Sequence, residues 1–113
     1  MPARNALLNA PPYQVEKALK KLGNDLRTAR LRRRLLIQDV AEKIGTSRYV
    51  VADAEKGKAS TGIAVYAALL WTYGFIERLT DIVDPAKDEE GMARSLHGMR
   101  ARATRRRTLD NDF

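Results

Sequence analysis

The sequence predicts an all-α fold: five helices followed by a charged, flexible C-terminal tail. Three observations carry that expectation. Apolar residues between Tyr13 and Val83 recur at steps of three and four. No stretch of useful length alternates apolar with polar residues. Glycines, and finally Asp84-Pro85, sit where each periodic run should stop. The 113 residues are one domain's worth of chain, long enough to bury a small core without disulfides or a structural metal. We divide it into an N-terminal extension (1–12), a helical domain (13–84) and a tail (85–113).

Residues 1–12 end in Pro11-Pro12 and read as extended. From Tyr13 the first helix places Val15, Leu19, Leu22, Leu26 and Ala29 on one stripe, with Gly23 a point of division. Lys17, Lys20, Lys21, Arg27 and Arg32 to Arg34 occupy its other faces. A second, short helix spans about Ile37 to Ile44 with Val40, Ala41 and Ile44 inward, closed by Gly45 in a left-handed position. Ser47 can cap a third helix, Arg48 to Lys56, ended by Gly57. Thr61 can cap a fourth, running to Tyr73 with Ile63, Tyr66, Ala67 and Leu70 on one side. After Gly74 a fifth runs from Phe75 to Val83.

Composition removes several function classes. Cysteine is absent and His97 is the only histidine, so thiolate chemistry, zinc–thiolate sites and histidine triads within one chain are excluded, and no metal or cofactor is expected. No acid/base or nucleophile grouping stands out, so no enzyme activity is expected. Gly57-Lys58-Ala59-Ser60 lacks the first glycine, the hydroxyl after the lysine and the preceding strand of a phosphate-binding loop. No apolar run approaches the roughly 18 residues of a membrane span. The first twelve residues lack a signal-peptide core, so a cytoplasmic location without membrane association is expected. A net charge of +7 favours a polyanionic partner, nucleic acid first. Residues 1–34 hold nine bases and two acids, and residues 35–83 five and six.

The informative stretch is Val40 to Lys58, two short helices meeting at a tight glycine turn. Ala41 is small where the second helix must cross closely. On the third helix, Val51, Ala54 and Glu55 form one face, and Arg48, Tyr49, Ala52, Asp53 and Lys56 form the other. The second face offers a forked donor, an aromatic hydroxyl, a small gap and an acceptor, which is what a helix in a DNA major groove needs.

Arg30, Leu35, Val40-Ala41, Ile44-Gly45, Ser47, Val51 and Glu55-Lys56-Gly57 together make the span from about Leu22 to Val83 resemble the Xre/Cro-like, lambda-repressor-like helix-turn-helix family. The resemblance implies a sequence-specific repressor that binds a palindromic double-stranded operator as a homodimer. It implies base reading by Arg48, Tyr49, Ala52 and Asp53, and an internal ion pair between Arg30 and Glu55. Phosphate contacts are implied for Arg32, Arg33, Gln38, Ser47, Lys56, Lys58 and Thr61. One departure concerns the start of the second helix, where the family's Ser or Thr and following Gln are replaced by Leu36 and Ile37. Gln38 stands one residue late, and Leu36 supplies no side-chain cap.

The long basic first helix and the tail, with its acidic residues and terminal Phe113, also resemble HipB-type antitoxins. That resemblance implies a type II toxin–antitoxin pair in which the chain neutralises a HipA-like kinase toxin and represses its own operon. In the tail, Asp88-Glu89-Glu90 precedes six arginines between Arg94 and Arg107. Such charge runs favour disorder in isolation; Met92, Leu96, Met99 and Ala103 fall at helical spacing, which allows a basic amphipathic helix on a partner, and Gly91 and Gly98 weigh against it. Leu109, Asp110, Asp112 and Phe113 form the candidate toxin-binding anchor. Leu79, Ile82 and Val83, with the apolar residues before Pro12, form the candidate dimer contact.

Simpler structural roles compete with these. Arg32 to Arg34 suit a solvated helix end at the negative pole of the dipole as well as a phosphate contact. Tyr66, Trp71 and Tyr73 suit core or dimer packing. A stand-alone repressor without a toxin, and a mainly protein-binding module with weak DNA affinity, are the alternative functions.

Overall fold

The computed structural model describes residues 5–111, with side chains up to Arg107. Its elements in chain order are α1 (Ala6–Asn9), α2 (Tyr13–Arg32), α3 (Ile37–Ile44), α4 (Arg48–Glu55), α5 (Ile63–Thr72), α6 (Ile76–Thr80), a 3₁₀ turn (Pro85–Lys87) and α7 (Glu89–Asn111). There is no strand among the described residues. The chain divides after Leu79 into two compact units, slightly ahead of the expected boundary at residue 84.

Several elements differ from the sequence expectation, each for a local reason. Residues 6–9 coil into a single turn rather than staying extended, because Asn5 Oδ1 accepts the Leu7 N–H at 3.0 Å and caps it. Helix α5 starts at Ile63 after Gly62, not after Thr61. Helix α6 stops at Thr80 instead of Val83: β-branched Ile82 and Val83 and the Asp84-Pro85 step disfavour a further turn. The largest difference is in the tail, which is helical from Glu89 to Asn111 rather than flexible. Asp88 Oδ1 accepts the Gly91 N–H at 2.9 Å, Glu89 and Glu90 lie at the positive end of the dipole, and Arg94 bonds Glu90 at 2.5 Å. A cap, favourable end charges and the many Arg, Ala, Leu and Met residues outweigh Gly91, Gly98 and the low apolar content.

The core of the first unit gathers Leu26 and Ala29 from α2, Val40 and Ala41 from α3, Val51 and Ala54 from α4, Tyr66 and Leu69 from α5, and Tyr73 just after it. Leu22, Leu35, Ile37, Ile44, Val65, Leu70 and Phe75 flank it, half-buried. Helix α2 passes through Gly23 unbroken because that glycine is a packing notch rather than a stop. A Cβ there would sit 2.6 Å from the Ala54 carbonyl oxygen and the Gly57 nitrogen. Gly57 in turn has φ 70, and a Cβ on it would collide with the Leu19 carbonyl. The two glycines let the end of α4 rest directly on the backbone of α2.

A buried ion pair locks the same crossing. Arg30 Nε donates to Glu55 Oε2 at 2.7 Å, and Nη2 donates to Oε1 at 3.1 Å. Nη1 donates to the Leu35 carbonyl at 2.9 Å, so the fork also holds the chain leading into α3. The side chains are only 8% and 5% exposed. The bond to Glu55 holds the Arg30 guanidinium above its already high ordinary pKa. Such a pair contributes little net stability, but removing one member leaves a buried charge without a counter-charge.

Glu55→Ala should therefore destabilise the free protein by about 3–5 kcal/mol. Thermal melts without any ligand check this, and an unchanged melting temperature would contradict it. Gly23→Ala should also destabilise, by about 1–3 kcal/mol from overpacking, even though alanine is the better helix former. A Gly23→Ala variant more stable to urea than the parent would contradict the close approach of the α2 and α4 backbones.

Candidate nucleic-acid interface

The turn between α3 and α4 is built from its backbone. Gly45 adopts φ 81, and its N–H reaches the Ala41 carbonyl at 3.0 Å while that of Thr46 reaches it at 2.9 Å. Ser47 then opens α4, its Oγ accepting the Val50 N–H at 3.4 Å. At the head of α3, Leu36 offers no side-chain acceptor. Asp39 supplies the reciprocal half of a cap, its Oδ2 accepting the Leu36 N–H at 3.2 Å. The sequence signal for this was present in the acid three residues after the missing cap.

Helix α4 divides into two faces. Val51, Ala54 and Glu55 are buried, Ala52 and Asp53 are half-buried, and Arg48, Tyr49 and Lys56 are exposed. Tyr49 keeps 68% of its surface in solvent. The Arg48 guanidinium lies 5.1 Å from the Tyr49 ring centre, and its Nη2 donates to the Tyr49 hydroxyl at 3.1 Å. The helix thus opens with a cation–aromatic pair presented to solvent. Asp53 is held by Lys58 at 3.0 Å, so both are partly neutralised. The loop carrying Lys58 is anchored by Tyr66, whose hydroxyl donates to the Lys58 carbonyl at 3.0 Å. Burial raises the pKa of that hydroxyl. Thr61 is half-buried at the end of the same loop. Gln38 is exposed on α3 and bonds Glu42 at 3.1 Å.

The arginine run at the end of α2 separates into three situations. Arg32 is exposed on the last turn. Arg34 adopts a left-handed φ of 54, which turns the chain from α2 towards α3 at a cost that glycine would avoid. Arg33, expected to contact phosphate, is exposed as well, but two of its donors are engaged by the fold. Its Nη1 donates to the Ala29 carbonyl at 2.8 Å and its Nη2 to the Tyr73 carbonyl at 2.9 Å. It also lies over the rings of Tyr73 and Phe75, at 5.5 and 5.6 Å from their centres. It therefore ties the carbonyl ends of α2 and α5 together, a role that the sequence run did not reveal.

Charge is distributed unevenly around these elements. Residues 1–36 carry nine bases and two acids, whereas residues 37–62 carry four of each. The electropositive surplus therefore belongs to α2 and its flanks, and the α3–α4 segment is neutral. Lys20 and Lys21 bond Glu16 and Asp25 one turn away at 2.9 and 2.6 Å, but on exposed surface such pairs exchange readily. Among the described residues no group of three metal-ligating side chains occurs and no helix is long and apolar enough to cross a membrane.

Of the remaining sequence expectations, Leu79 is half-buried, while Ile82 and Val83 are exposed. Leu109 and Asp110 are described only as helical backbone, and Asp112 and Phe113 lie outside the described residues.

The contrast within the arginine run is measurable. Arg33→Ala should lower stability by about 1–2 kcal/mol, because two charge-assisted hydrogen bonds and two ring contacts are lost. Arg32→Ala should leave stability within about 0.5 kcal/mol of the parent. Equal losses in urea unfolding would contradict the separation of roles. No family model matches this chain, and no curated protein and no solved structure is significantly similar to it.

Proposed function

We propose that this chain is a sequence-specific DNA-binding repressor acting as a twofold dimer, with α3 and α4 as its helix-turn-helix and α4 laid in the major groove. One observation carries the proposal. The inward face of α4 is fixed by Glu55, Val51 and Ala54, while its outward face opens with the exposed Arg48–Tyr49 pair. A rigid short helix presenting a fork donor, an aromatic edge, a small residue and an acceptor suits base edges better than it suits any catalytic step. Bidentate arginine to guanine is the commonest specific contact of such helices, and Tyr49 fills space beside it.

Phosphate contact falls to other groups. Lys56, Lys58 and Thr61 border the end of α4, Ser47 brings the helix N-terminus, and Gln38 brings the start of α3. The basic residues of α2 supply long-range attraction. A single recognition helix reads only a few base pairs, so two copies on a palindromic operator are required for a usable site. Repression from a cytoplasmic location follows from such binding. Neutralisation of a HipA-like kinase toxin is the narrower form of the proposal and rests on the resemblance alone. Co-purification of the product of an adjacent kinase-like reading frame would test it.

The operator can be selected from random duplexes. On it, Arg48→Ala should lose about 1–3 kcal/mol per half-site and relax preference at one base position. Arg32→Ala should instead weaken all sequences alike and flatten the dependence of log affinity on log salt by about one unit. Unchanged sequence preference in Arg48→Ala would contradict the role given to α4.

A further inference from the structure

A helix with acids at one end and bases at the other is complementary to its own reversed copy, and α7 is such a helix. Asp88, Glu89 and Glu90 lie at its start, and residues 91–107 hold six arginines and no acid. Arg105, Arg106 and Arg107 are the last three described side chains. Between the charged ends, Met92, Leu96, Met99 and Ala103 recur at steps of four, three and four, which aligns them as one seam. That seam is uncovered, with Met92, Leu96 and Met99 exposed to 46%, 54% and 60%. Extending the spacing outwards by three residues each way places Glu89 and Arg106 at the two ends of the same seam.

We infer that α7 pairs with α7 of a second copy of this chain, antiparallel, with the twofold axis between His97 and Gly98. In that register Leu96 faces Met99, Met92 faces Ala103, and Glu89 faces Arg106. Asp88 and Glu90 point to the two flanks of Glu89, as Arg105 and Arg107 do about Arg106, so they add acidic and basic charge beside that seam pair rather than meeting one to one. Twofold symmetry makes every one of these contacts twice. Glu89 and Arg106 are separated by roughly 26 Å at about 1.5 Å per residue, so the charged contacts close both ends of an apolar strip. A parallel pair would set acid on acid and base on base. A nucleic acid on this helix would leave the acids facing phosphate and the methionines in water. The bond of Glu90 to Arg94 within α7 is between side chains 74% and 79% exposed, so it is readily exchanged for the contact across the axis. The pairing stands on α7 alone and does not require that the chain bind DNA, although it would supply the twofold arrangement that operator binding needs.

The test is sedimentation equilibrium of the full chain with two charge-reversed variants. Glu89→Lys with Glu90→Lys makes both ends of α7 basic, and Arg105→Glu with Arg106→Glu makes both ends acidic. The parent should dimerise, and more weakly as salt is raised. Each variant alone should self-associate about tenfold or more weakly, and an equimolar mixture of the two should recover a heterodimer of near-parental affinity. A parent that stays monomeric at every concentration overturns the proposal. So does parental dimerisation in both variants. Unchanged masses with reduced affinity of the Arg105→Glu, Arg106→Glu variant for a random-sequence duplex would overturn it too, and would assign α7 to nucleic acid. Each of these failures leaves the Arg48→Ala result on the operator standing or falling separately.

Discussion

Buried against the crossing of α2 and α4, the Arg30–Glu55 pair fixes where the outward face of α4 lies. Its fork takes both carboxylate oxygens of Glu55 and the Leu35 carbonyl, so one guanidinium determines the placement of α2, α4 and the entry to α3. Gly23 and Gly57 make the same crossing close enough for backbone to touch backbone. Burying two charges is a poor source of net stability, and an apolar pair of similar volume would often serve as well. What the ion pair adds is direction: a hydrogen-bonded fork tolerates little rotation of α4 about its axis. For the role proposed for α4, that constraint matters more than the strength of the bond.

The division of charge follows a similar separation of tasks. The α3–α4 segment is neutral, and the bases that give the chain its net charge lie on α2 and its flanks. A reading helix crowded with lysines would bind every duplex alike, because phosphate attraction carries no sequence information. On α4, Arg48 lies against Tyr49 and Asp53 against Lys58, exposed contacts that a partner can exchange for its own. Arg33 shows the opposite use of a basic residue. Its charge sits in the middle of a run that looks electrostatic, yet it is taken up by two carbonyls and two rings.

Much of this was legible in the sequence because it is local. The periodic apolar positions, Gly45 after Ile44 and Ser47 before Arg48 define α3, the turn and α4, and the two faces of α4 follow from helical spacing alone. The Arg30 and Glu55 positions were legible through family resemblance, since no local pattern links residues 25 apart in sequence. What stayed hidden depends on tertiary contact. Gly23 reads as a break because its sequence neighbours do not reveal that Ala54 and Gly57 lie against it. Arg33 is exposed, as its place in the run suggests, but its bond to the Tyr73 carbonyl is not legible locally because Tyr73 is distant in the chain. The tail misleads for a different reason: low apolar content argues against a core, but a capped helix with favourable end charges needs no core of its own to be helical.

We propose that the outward face of α4 meets nucleic acid while its inward face belongs to the fold. Amide NMR of the full chain titrated with its selected duplex measures this most directly. Shift changes should concentrate between Ser47 and Thr61 and at the exposed bases of α2, with Val51, Ala54 and Leu69 nearly still. Changes confined to α7, or spread through the core without a maximum on α4, would contradict the account.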